Sequence, residues 1–264
     1  MNENGNSNGI GDNWSFLEGR DWAHLLRQQP QFANKCDWSK LDGDDWCCLL
    51  YWQARFADKC DWGKLAGDNW AKLLPLHPQF SEHCYWSKLD GDDGAEILCS
   101  RNGTTFMDKC DFSKFNGHNW RDFISAHPQY AEMMKPEVWD KLDGSDWQSL
   151  LWSHVEFADK CDWSKLEACD WYKLINLRPE FVEKCDMGKF TGRYLAKLLT
   201  ERGRTSPVGL PRRSEECDFS TLTVHDWCNV LVVRPDLVDK FEASTHDWAA
   251  DNVPVPEDVE AALS

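Results

Sequence analysis

The sequence has no run of about 18 apolar residues, so no helix of ordinary membrane-crossing length can be drawn in it. It is also short of positive charge. Against 45 Asp and Glu stand 29 Lys and Arg, a formal net charge of -16. Phosphate binding needs clustered cations, so a nucleic-acid surface built on basic patches is excluded and no direct nucleic-acid contact is expected. The residue patterns of common enzyme chemistry are missing: there is no G-x-S-x-G, no Gly-rich phosphate loop, no H-E-x-x-H and no paired Cys clusters. A non-enzyme needing neither cofactor nor metal is therefore expected. Met1 to Ile10 is polar and Asn/Gly-rich, without the charged-then-apolar layout of a secretory leader, which points to a cytoplasmic protein.

What the sequence does hold is aromatic and thiol side chains in register. Its 264 residues include 16 Trp and 12 Cys. Trp22, Trp46 and Trp70 lie 24 residues apart, and the series continues at Gly94, Trp120, Trp147, Trp171, Tyr194 and Trp227. A second series precedes it by eight residues: Trp14, Trp38, Trp62, Trp86, Phe112, Trp139, Trp163, Met187 and Phe219. Cys36, Cys60, Cys84, Cys110, Cys161, Cys185 and Cys217 form a third, and Phe32, Phe56, Phe80, Phe106, Tyr130, Phe157 and Phe181 a fourth. Four registered series make this a tandem repeat of about nine copies.

Inside one copy the spacing is helical. Trp46, Leu49 and Leu50 fall at i, i+3 and i+4, on one helix face. Asp44 or Asp45 stands at the expected N-cap, with Gly43 permitting the turn before it. After that helix comes a polar residue and often proline (Pro30, Pro78, Pro128, Pro179, Pro235), which suits a helix's first turn and predicts a second short helix. Helices of two or three turns are unstable alone in water, so neighbours must stack. The expected fold is all-α: an α-solenoid of about nine helix-turn-helix repeats of ~24 residues. Its domain would span 13–250, interrupted by an insertion loop at 200–214, with a disordered tail at 1–12 and an acidic tail at 251–264. The unit F-A-D-K-C-D-W-S-K-L, read at Phe157 to Leu166, resembles the repeat of uncharacterised bacterial and phage tandem-repeat proteins over about residues 13 to 248. That resemblance implies the helical-repeat fold and no activity.

The thiol column reads as small apolar core residues. Adjacent layers are expected to stand too far apart for a disulfide ladder. The one adjacent pair, Cys47 and Cys48, has no second pair to complete a zinc site. Seven residues after each helix Trp runs a polar column: Gln29, Gln53, His77, Arg101, His127, His154, Arg178 and Arg234. Cations suit a helix C-terminus, and the same column could form a hydrogen-bonding ladder that grips a partner's acidic or polar groups. At the opposite helix end Asp42, Asp44, Asp45, Asp90, Asp92, Asp93, Asp143 and Asp146 form an acidic edge, on which Asp44 and Asp92 are candidate contacts. The D-G-D-D spacing lacks the alternating ligands of a calcium loop. Arg202, Arg204, Arg212 and Arg213 lie in the Gly/Pro-rich insertion, either a solvated loop or a docking loop for an acidic partner. Trp52 and Trp152 fall outside both Trp series and would be binding anchors if exposed. The expected function is a protein-binding repeat scaffold that recognises another protein. The alternative is an acidic nucleic-acid mimic inhibiting a protein with a basic surface, such as a phage-encoded antagonist of bacterial defence.

Overall fold

The computed structural model describes residues 13–200 and 216–244. The described residues contain no strand, and the fold is an all-α repeat solenoid. The chain divides into two compact units, Met1–His127 and Pro128–Ser264. In the first, the α-helices are α1 (Gly19–Gln28), α2 (Gly43–Trp52), α3 (Gly67–Leu73), α4 (Gly91–Cys99) and α5 (Gly117–Ala126). In the second they are the one-turn α6 (Pro136–Trp139), then α7 (Gly144–Ser153), α8 (Ala168–Leu177), α9 (Gly192–Thr200), α10 (Val224–Val233) and the short α11 (Val238–Glu242). Within each unit every long helix packs against the next, so neighbours in sequence are neighbours in space.

A copy consists of one α-helix followed by two pieces of 3-10 helix, such as Ala54–Lys59 and Trp62–Lys64 after α2. The second helix expected after the proline is thus 3-10 rather than α. Its residues close i to i+3 bonds, Phe56 N–H to Gln53 O at 3.1 Å and Cys60 N–H to Ala57 O at 3.2 Å. Short 3-10 segments are the usual form of such connectors. In most copies an Asp before the second piece fixes that turn: Asp37 Oδ1 accepts from Ser39 N–H at 3.2 Å and Ser39 O–H at 2.7 Å.

The α-helix starts two or three residues earlier than the spacing suggested. Asp42 is the N-cap, its Oδ1 accepting from Asp45 N–H at 2.9 Å, while Asp45 Oδ2 accepts from Asp42 N–H at 3.2 Å. This reciprocal pair satisfies donors that a helix start otherwise leaves open. Gly43 is the first helical residue, and close approach explains it. A Cβ there would run into the Lys64 carbonyl of the next copy and come within 2.9 Å of Asn69 Oδ1.

The two Trp series are one physical contact. Trp38 stacks on Trp46 at 5.5 Å between ring centroids, Trp62 on Trp70 at 5.5 Å, Trp139 on Trp147 at 5.6 Å and Trp163 on Trp171 at 5.4 Å. The other face of the turn Trp meets the following Phe, as in Trp38 and Phe56 at 5.4 Å. Trp22, Trp46, Trp147, Trp171 and Trp227 are essentially fully buried. Gly94 occupies a helix Trp position, and the next copy fills the gap: Phe115 stands where most copies have Leu, its ring edge 3.1 Å from where a Gly94 Cβ would be. In α9 the core position belongs to Leu195, fully buried, and not to the neighbouring Tyr194, which remains half-buried.

Candidate interaction surface

Four residues of the polar column at the helix C-termini bond to the preceding copy. Gln53 donates Nε2–H to Arg27 O at 2.9 Å, and His77 donates Nε2–H to Tyr51 O at 3.2 Å. His127 reaches Leu98 O at 2.7 Å, and the Arg178 guanidinium reaches Trp152 O at 2.5 and 2.9 Å. These donors satisfy carbonyls that a helix end leaves without partners. The ladder exists, and its rungs in these four copies join one copy to the next. Three column residues of the second unit meet an acid two residues on. His154 Nδ1 lies 3.1 Å from Glu156, Arg178 Nη1 3.9 Å from Glu180, and Arg234 donates to both oxygens of Asp236 at 2.9 and 2.7 Å. The Arg234 bonds hold the Asp236 carboxyl below its usual range. Arg101 is exposed and joins neither pattern. Arg202, Arg204, Arg212 and Arg213 lie outside the described residues, as do both tails.

The acidic edge is likewise threaded between copies. Asp44 Oδ1 accepts from Asn69 Nδ2–H at 2.8 Å, and Asp92 Oδ1 from Asn119 Nδ2–H at 2.6 Å. Both aspartates keep exposed surface. Asp45 and Asp93 sit between layers, and desolvation there raises their carboxyls above the usual range.

The repeat lysine gave no functional signal in the sequence and proves to be a third inter-copy bond. Lys40 Nζ donates to Ser15 O and Leu17 O at 2.6 and 2.7 Å, Lys64 to Ser39 O and Leu41 O at 2.9 and 2.5 Å, and Lys165 to Asp140 O and Leu142 O at 2.7 and 2.9 Å. Lys114 makes the same pair of bonds to Ser87 O and Leu89 O.

The cysteines are free thiols. Burial pushes Cys36, Cys60, Cys84 and Cys161 up to about 12, and Cys47, Cys99 and Cys110 up to about 11. They therefore stay protonated near neutrality, the form that is neither nucleophile nor metal ligand.

Large apolar side chains face solvent at the C-terminal ends of the helices. Trp52 is 57% exposed, Trp152 55%, Leu177 54% and Leu76 49%. Tyr51 packs on Trp52 at 5.1 Å, and the Arg27 guanidinium lies over the Trp52 ring at 4.4 Å. A groove of about 720 Å³ opens between α1 and α2, lined by Arg20, His24 and Arg27 on α1 and by Asp44, Asp45 and Cys48 on α2. No protein-family model matches the sequence, and comparison with curated proteins and with solved structures gives no match.

Proposed function

We propose that this protein is a non-enzymatic repeat scaffold that binds another protein along the C-terminal ends of its α-helices. The observation that carries the reading is the exposure of Trp52 in the first unit and Trp152 in the second, each at a helix C-terminal end and more than half open to solvent in a fold that buries its helix-series tryptophans. Exposed Trp beside Arg is the composition of interface hot spots. The buried or half-buried free thiols support a structural role for the cysteine column. The bacterial or phage repeat resemblance stays part of this proposal. Affinity capture from a lysate of the source cells tests it. A Trp52→Ala/Trp152→Ala double variant should retain at least tenfold less of the partner than the unaltered chain, and equal retention would sink the reading.

A second reading, the acidic mimic, draws on Asp44, Asp68 and Asp92, exposed at the same position of three successive helices. It requires the protein to compete with DNA or RNA for a nucleic-acid-binding enzyme. It also requires that competition to weaken as salt rises from low to physiological strength.

A further inference from the structure

Five-residue windows at the helix C-terminal ends differ between the two units. In the first unit they read R-Q-Q-P-Q (27–31), Y-W-Q-A-R (51–55), P-L-H-P-Q (75–79) and C-S-R-N-G (99–103), with four cationic or titratable-basic residues and no acid. In the second they read W-S-H-V-E (152–156), N-L-R-P-E (176–180) and V-V-R-P-D (232–236), each ending on an acid that meets its own cap residue as described above. The second unit neutralises this edge internally. The first leaves it positive in a chain of net charge -16.

The macrodipole explains one cation per helix end. It does not explain why the balancing acid is replaced by Gln31, Arg55 and Gln79, nor why the uncompensated stretch coincides with the apolar patch. Arg55 is exposed and makes no ion pair among the described residues, and the same is true of Arg101. Tyr51, Trp52 and Leu76 form the apolar part, with 39%, 57% and 49% of their surface open. Arg27 connects patch and groove, because it lines the groove between α1 and α2 while its guanidinium carbon lies 4.4 Å from the centre of the Trp52 ring. A guanidinium held over an indole has N–H donors left to pair with a carboxylate.

We propose that the edge formed by Arg27, Tyr51, Trp52, Arg55 and Leu76 is a docking site for an acidic peptide segment that carries a bulky apolar side chain. The carboxylates pair with Arg27 and Arg55, and the apolar side chain packs on Trp52 and Leu76. The inference rests on the scaffold reading and adds the partner's chemistry and the unit that receives it.

Selection from a random 12-residue peptide library displayed on phage, against the immobilised full chain, tests it without a prior choice of ligand. Asp and Glu together with Leu, Phe or Trp should be enriched. The best peptide, made synthetically with a fluorophore, should bind at least tenfold more weakly to Trp52→Ala and to Arg27→Glu/Arg55→Glu. Trp152→Ala should leave it unchanged. All these positions carry solvent-facing surface, and an unaltered circular dichroism melt separates lost binding from lost folding. Enrichment of basic peptides, no enrichment at all, or indifference to the Trp52 and Arg variants overturns the proposal. So does equal competition by a single-stranded 15-nucleotide DNA, which would hand the edge to nucleic acid. Partner capture that depends on Trp152 but not on Trp52 would leave the scaffold standing and remove this site.

Discussion

At the residue scale the fold depends on tryptophan as a flat, large hydrophobe and hardly at all on its polar handle. Nε1–H of Trp22, Trp46, Trp120, Trp147, Trp171 and Trp227 is buried with no hydrogen-bond partner. A buried donor without a partner is a standing cost. Trp46→Phe should therefore lose only part of the stacking area against Trp38, about 1–2 kcal/mol, while Trp46→Ala should lose about 3–5 kcal/mol through the cavity it leaves. Urea unfolding followed by far-ultraviolet circular dichroism measures both. Equal losses would mean that the indole N–H contributes after all. Most of this core was legible in the sequence, because residues eight apart recurring as aromatic pairs are the stacks themselves. What misled was aromaticity used as the only marker. Tyr194 looked like the eighth-copy counterpart of Trp, yet 24 residues after Trp171 stands Leu195, and apolar volume at the correct turn decides burial.

Between elements the structure uses a small polar code that periodicity alone does not reveal. The second residue of one helix faces the third residue of the next. Where these are Asp44 and Asn69, or Asp92 and Asn119, they hydrogen bond. Across α3 and α4 the pair is Asp68 and Asp93, and the two charges repel, adding to the desolvation that raises Asp93. The sequence shows every one of these residues, but as caps of their own helices. Their second partner comes from a neighbouring copy, and only packing brings it there. Asp93→Asn should accept the Asp90 N–H as Asn69 accepts Ala66 N–H at 2.9 Å, and donate to Asp68 as Asn69 donates to Asp44. The expected gain is about 0.5–1 kcal/mol at neutral pH. The sign with pH follows from the raised carboxyl. The folded state binds that proton more tightly than the unfolded chain, so the contribution to stability is fully present below the unfolded value and is lost as pH rises through the folded one. The advantage of Asn should accordingly be largest near neutrality and shrink toward acid pH. Urea midpoints of the two proteins across that range check it, and a constant difference would refute the coupling.

For the molecule as a whole, layers that touch only their neighbours make stability a sum of interfaces, so one poor interface sets where opening begins. In the first unit that interface lies between α3 and α4. The lysine bond is missing there: Lys88 Nζ sits over the Tyr85 ring at 4.7 Å instead of reaching the carbonyls of the previous turn. Tyr85 occupies the position that Asp37 and Asp61 use to cap the same turn, and it makes no such cap. Arg101 provides no C-cap bond to α3, whereas His77 provides one to α2. Asp68 faces Asp93, and the helix Trp is Gly94. Apolar packing persists through the buried Leu89 ahead of α4, so the joint is held mainly by burial, without the polar bonds that its neighbours have. Hydrogen exchange read by mass spectrometry should find the amides of α4 and the Trp86–Lys88 turn less protected than those of α2. Tyr85→Asp restores a cap of the Asp61 kind and releases Lys88 toward Gly63 O and Leu65 O. It should slow exchange in α4 several-fold and leave α2 unchanged. Exchange that proceeds uniformly through α2, α3 and α4 would show that burial alone fixes the cooperativity of the stack and that the missing polar bonds do not locate its weakest joint.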